Sequence, residues 1–229
     1  MSQSTDTVPF RTKLRVEITN FLQKHRTLLL GLVIAAVVVV GGLAIWTEVD
    51  TATKAAYAIQ IDKSQNDYTA WQTETDATKK IALGAAFEAD LTGIQQSAPL
   101  GYGLSKSWFL QGNYLVAQKK WAEASKAFHS AFEKDPTGYL APIALVNAGV
   151  SLEEARDVSG ALGQYGEFEK SFSGDSVLAP QVFFTQGRLL ESLGKKADAI
   201  AAYHKLLAKY PESGWTKLGR DRILLLNQE

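Results

Sequence analysis

Apolar and polar positions follow three regimes along this chain. From Leu28 to Trp46 the residues are almost wholly apolar and none is charged. Beyond residue 47 apolar residues recur every three or four positions, as in helices that bury one face. Ahead of Leu28, Phe10, Leu14, Ile18 and Phe21 or Leu22 keep the same spacing with basic residues between them. Each regime is helical, and the fold expected is all-α.

The nineteen residues from Leu28 to Trp46, at about 1.5 Å each, reach roughly 28 Å, near the thickness of a bilayer's hydrocarbon core. The run therefore predicts one membrane crossing over 27–46, with Trp46 suited to the interfacial aromatic belt. A cleavable signal peptide would have a shorter core of about 7 to 15 residues and a small-x-small site after it. Ile45 to Asp50 offers no such site. A buried core helix would need a second uniformly apolar run to pack behind, and there is none. Gly31, Gly41 and Gly42 permit close helix approach but form no Gly-x-x-x-Gly pair, so a homo-oligomer through this helix stays open.

Charge sets the orientation. Arg11, Lys13, Arg15, Lys24 and Arg26 precede the run against Asp6 and Glu17, whereas Glu48 and Asp50 follow it with Lys54. The positive-inside rule then places the N-terminus in the cytoplasm and the rest of the chain on the exported side. Segment 1–26 is a cytoplasmic tail whose part from Pro9 to Arg26 reads in two ways: a helix lying on the anionic leaflet, or a straight extension of the span that carries orienting charges. The whole chain has 24 basic and 24 acidic residues. That balance does not point to nucleic acid. With no cysteine there is no disulfide, thiolate metal site or cysteine nucleophile.

After the span, Tyr57, Ile61, Ser64, Tyr68 and Trp71 form one stripe. A break at Thr73 to Asp76, with Thr75 or Asp76 as N-cap, starts a second helix carrying Leu83, Phe87, Leu91 and Ile94. Segment 47–104 is thus expected to form a helical stalk and hairpin cap that ends in the turn-rich Ser97 to Gly103.

The remainder repeats itself. Aligning Ser107 to Pro136, Ala144 to Ser173 and Val182 to Pro211 superposes Gly112, Gly149 and Gly187 at separations of 37 and 38 residues. The same alignment superposes Ala124, Ala161 and Ala199, then Phe128, Tyr165 and Tyr203, then Ala131, Phe168 and Leu206. These units resemble tetratricopeptide repeats, whose pattern is W-x2-L-G-x2-Y, then A-x3-F and a closing proline. Trp108, Gly112, Leu115, Ala124, Phe128, Ala131 and Pro136 stand on that pattern in the first unit. Phe183, Gly187, Leu190, Ala199, Tyr203, Leu206 and Pro211 do so in the third. The second carries Leu145, Gly149, Leu152, Ala161, Tyr165 and Phe168 without the proline. The glycine and alanine are expected to let the two helices of a unit approach, and the aromatic to fill the gap between neighbouring units. Three repeats over 105–211 are followed at 212–229 by a capping helix with Trp215, Leu218, Ile223 and Leu226 on one face. The full expectation is a transmembrane helix followed by a tetratricopeptide-type helical-hairpin solenoid.

Candidate chemistry is sparse. His129 and His204 occupy the same position in units one and three, but no His-x3-His spacing joins them and the units are not neighbours. Glu153-Glu154 and Lys195-Lys196 read as exposed turns and helix ends. No glycine loop has a strand-to-helix context for phosphate. The reading is non-enzymatic, with no catalytic residue, cofactor or metal. What the resemblance does imply is a partner-binding surface on the first helix of each unit. Its positions here are Phe109 and Asn113; Val146, Asn147 and Val150; and Phe184, Thr185 and Arg188. With Arg188 as the one cation, capture of a C-terminal carboxylate is disfavoured, and a protein segment is the expected ligand.

The sequence of short tail, single span and exported repeats resembles the bacterial YfgM-type family, ancillary inner-membrane subunits at the Sec translocon that associate with periplasmic folding factors. The resemblance implies an adaptor in the bacterial cytoplasmic (inner) membrane with its repeat domain in the periplasm. Its partners would be translocon subunits or periplasmic chaperones. The alternative is an envelope scaffold for cell-division, cell-wall or outer-membrane assembly machinery.

Overall fold

The computed structural model describes residues 10–172, 174 and 176–228, with side chains from residue 14 onward. Among the described residues there are ten α-helices and no strand, as the periodicity predicts. The chain divides into two units, 1–53 and 54–229.

The first unit holds α1 (Phe10–Lys24) and the N-terminal part of α2 (Arg26–Thr73). The apolar side chains of this part of α2 have no cover: Leu28 is 60% exposed, Val38 68% and Ile45 69%. Its most apolar 18-residue window has mean hydropathy 3.0 and none of it is buried, so this stretch is not a core helix of the chain. Among the described residues α2 is the one helix long and apolar enough to cross a membrane.

The second unit begins with the rest of α2, which buries Ile61, Ser64, Tyr68 and Trp71, four of the five stripe residues. It ends at Thr73, and α3 (Ala77–Ser97) starts behind Asp76, whose side chain accepts from the Lys79 N–H at 2.9 Å. Of the two N-caps left open by the sequence, Asp76 is the one used. Tyr68 and Phe87 lie 5.7 Å apart between ring centroids, and Trp71 and Tyr114 4.6 Å apart, which ties this hairpin to the first helix of the repeats.

Three helix pairs follow: α4 (Tyr102–Ala117) with α5 (Trp121–Lys134), α6 (Ala141–Glu154) with α7 (Val158–Phe172), and α8 (Ala179–Ser192) with α9 (Lys196–Lys209). Within each pair the turn is the same. Its middle residue, Lys119, Arg156 or Gly194, has φ of 60°, 62° or 70°. The next N–H returns to the leucine three after the repeat glycine: Lys120 to Leu115, Asp157 to Leu152 and Lys195 to Leu190, at 2.8–2.9 Å. This is a Schellman closure, in which a left-handed residue satisfies carbonyls that the helix end would leave open. α6 and α8 each begin Ala-Pro, where the missing proline N–H costs no helical bond.

The glycines explain the close pairing. A Cβ on Gly112 would lie 2.6 Å from Phe128 Cε1, one on Gly149 2.6 Å from Tyr165 Cε1, and one on Gly187 2.6 Å from Tyr203 Cζ. The aromatic therefore packs over the glycine of its own unit and, as the sequence led us to expect, also shares a core with the element that follows: Phe128 with Ala148, Tyr165 with Val182 and Phe183, and Tyr203 with Ile223 and Leu226. The reason is steric: only a residue without Cβ lets a ring lie flat on the facing helix at this distance.

α10 (Gly214–Gln228) closes the chain. It buries Thr216, Gly219, Ile223 and Leu226, while Leu218 is 46% exposed and Trp215 is half-buried. The expected face is thus rotated. Gly219 sits against Leu206 and Leu207 of α9, and the close approach of that small residue sets the helix's angle of roll.

Candidate functional site

The eight candidate residues fall in register on α4, α6 and α8, the first helices of the three pairs. Phe109, Val146 and Phe184 precede the repeat glycine by three positions, Asn147 and Thr185 by two, and Asn113, Val150 and Arg188 follow it by one. Their surroundings differ. Phe109 is half-buried, edge-on to Phe128 at 5.2 Å, with Lys106 Nζ 5.6 Å from its ring centroid. Val146 is buried in the core cluster of Leu145, Tyr165 and Phe183, against which Phe184 also packs. Phe184 lies 5.6 Å from Tyr203 and 5.3 Å from Trp215, so its ring packs against α9 and α10 as well. Asn113, Asn147 and Thr185 are partly exposed, and Val150 is 43% exposed.

Arg188 is exposed but engaged: its guanidinium donates to the Glu153 carboxylate of the preceding pair. Glu153 also accepts from the Tyr165 hydroxyl at 2.7 Å. The next pair repeats the arrangement, where Glu191 accepts from Tyr203 Oη at 2.5 Å and from Arg222 Nε at 3.1 Å. Glu153 is consequently part of an inter-unit link, not the ordinary exposed helix end inferred from sequence. Burial, and then the hydrogen bond to the carboxylate, push both tyrosine hydroxyls well above their ordinary range. The Arg222 guanidinium holds the Glu191 carboxyl below the usual carboxylate value. The first unit has Phe128 for the tyrosine and Val116 for the glutamate, and Val150 stands in the register of Arg188, so all three polar members are replaced by apolar ones. Glu153 and Glu191 each stand four residues after the repeat glycine in the two units whose aromatic is tyrosine. That pairing was the available signal.

The histidines stay apart. His129 Nδ1 lies 2.9 Å from Gln164 Oε1 on α7, and His204 is exposed on α9. The candidate positions that keep exposure are mixed: amides at Asn113 and Asn147, a hydroxyl at Thr185, the apolar Val150 and the ion-paired Arg188. Such a surface can accept backbone and apolar groups of another polypeptide; it has no converging acid, base and nucleophile.

Paired helices with a shared glycine-aromatic contact and a repeated turn define a helical repeat protein. Two family models agree with that class and sharpen it: both are described as tetratricopeptide repeat, one matching residues 109–175 and the other 181–213. A protein of Treponema pallidum (strain Nichols), named as a TPR repeat-containing protein, is 25% identical over 235 aligned positions, covering 93% of this chain and 94% of its own length. The likeness therefore extends beyond the repeats. This chain carries tetratricopeptide repeats, and repeats of this kind are modules for binding other proteins.

Proposed function

We propose that the protein is a membrane-anchored, non-enzymatic adaptor whose repeats lie on the exported side of a bacterial cytoplasmic membrane and hold client or chaperone proteins near the Sec translocon, as in the YfgM-type family it resembles. The observation that carries the anchor is the apolar window of α2, which has no protein cover. Its length and the lack of a small-x-small site from Ile45 to Asp50 favour retention over cleavage. The excess of Lys and Arg ahead of it favours a cytoplasmic N-terminus. The partner surface is the amide and apolar set at Asn113, Asn147, Val150 and Thr185, flanked by the packed Phe109, Val146 and Phe184 and by the ion-paired Arg188. Purification of the full chain from solubilised membranes tests the reading: the secretion channel and periplasmic folding factors should accompany it. Recovery of septal, cell-wall or outer-membrane assembly proteins in their place would make the chain an envelope scaffold.

A further inference from the structure

The helix before the apolar run is interrupted from it at a single residue, His25. α1 stops at Lys24 and α2 resumes at Arg26. At the break His25 N–H donates to Phe21 O at 3.0 Å and Leu29 N–H to His25 O at 2.9 Å. Although the bonds of His25 N–H and Leu29 N–H here keep the helical four-residue spacing, an interruption between two helices can free backbone groups at either end. Such groups need water or lipid headgroups and cannot lie in hydrocarbon. A local interruption of this kind fits the membrane-water boundary, and the Phe21 ring lies against His25, 4.8 Å between centroids.

α1 itself carries two faces. At about 100° per residue, Leu14, Ile18, Phe21 and Leu22 fall within an arc of about 100°. They are 46%, 50%, 56% and 48% exposed, so nothing in the protein covers this arc. Arg15 borders one edge, and Glu17 and Lys24 the other. Thr19, Asn20 and Gln23 hold the opposite side, with Val16 as the one apolar exception. From Phe10 to Arg26 there are five cations, Arg11, Lys13, Arg15, Lys24 and Arg26, against the single carboxylate of Glu17. An apolar arc edged by basic side chains matches the acyl-headgroup boundary of a leaflet rich in anionic lipid, where the arc enters the apolar layer and the cations reach phosphates.

We propose that α1 lies in the headgroup layer of an anionic leaflet, hinged to the span at His25. This rests on the reading of α2 as a membrane anchor and decides between the two roles that the sequence left open for the tail. The chain has no cysteine, so single spin labels report cleanly. The full chain, labelled at Ile18→Cys, Thr19→Cys or Val37→Cys, is placed in nanodiscs of phosphatidylcholine with or without phosphatidylglycerol. The expected result is a label at 18 severalfold more accessible to oxygen than to a water-soluble nickel chelate, the reverse at 19, and a contrast that weakens without phosphatidylglycerol or with Arg15→Gln and Lys24→Gln combined. Equal exposure of 18 and 19 to water, or equal immersion of both, overturns the proposal, and a contrast independent of lipid charge overturns its anionic part. The label at 37 keeps the two readings distinct: an aqueous signal there refutes the anchor itself.

Discussion

The Tyr165 hydroxyl donates to Glu153 Oε1 at 2.7 Å, and the same carboxylate receives Arg188 from the next helix pair. One glutamate thus joins the two helices of its own unit and the unit that follows. Tyr203, Glu191 and Arg222 repeat the device between the third unit and α10. In a solenoid, stability is a sum over units and the contacts between neighbours, so a bond of this kind acts on cooperativity as much as on any one unit.

Tyr165→Phe keeps the ring over Gly149 and removes the hydroxyl bond. It should cost about 1.5 kcal/mol, the low end of the range for a hydrogen bond to a charged acceptor. Chemical denaturation of the parent and variant measures it directly.

The same links predict the pH limits of stability. A tyrosine whose folded pKa is raised contributes stability that is fully present below its unfolded value of about 10 and is lost as pH rises through the folded one. Glu191, whose folded pKa is lowered, contributes stability present above about 4.3 and lost as pH falls through its folded value. Thermal melts should therefore show a flatter alkaline limb in Tyr165→Phe and Tyr203→Phe than in the parent, and a flatter acid limb in Glu191→Gln.

Gly149→Ala tests the glycine-aromatic contact. Alanine gains about 1 kcal/mol of helix propensity over glycine, but its Cβ would stand 2.6 Å from two carbons of the Tyr165 ring. Overpacking of this kind costs about 1–3 kcal/mol, so the net change should be destabilising. Gly163→Ala, which meets nothing within 4 Å on α7, should instead stabilise. Equal effects from the two would mean that the ring does not lie on Gly149.

The turns make a fourth test. Lys119 and Arg156 occupy left-handed backbone where the third unit has Gly194. Lys119→Gly and Arg156→Gly should raise the unfolding midpoint, and Gly194→Ala should lower stability by about 1 kcal/mol, the strain of a Cβ in that conformation.

Orientation can be read with a single cysteine at Lys217, an exposed position on α10. In intact spheroplasts a membrane-impermeant maleimide should modify Lys217→Cys without lysis. Modification only after lysis would reverse the proposed topology.

The helices and their pairing were legible because each depends on local residue type: Asp76 before α3, the alanine and aromatic ladder, and the glycine at one register position. The contact of each ring with its own unit's glycine was not, because it depends on interhelical distance. The roll of α10 escaped for the same reason, since Trp215 and Leu218 look as apolar as Ile223 and Leu226. Among the candidate surface residues, position on the first helices followed from register. Availability did not: Phe184 finds Trp215 and Arg188 finds Glu153 only through partners 31 and 35 residues away in sequence.

Photocrosslinking from Val150 in intact membranes tests the central claim most directly. This side chain lies at the middle of the candidate surface and, unlike Phe184, is not needed for packing. Adducts with the secretion channel or periplasmic folding factors, absent when the label is moved to His204 on the second helix of the third pair, are the predicted result. Adducts with division or cell-wall proteins, or equal yields from the two positions, would contradict it.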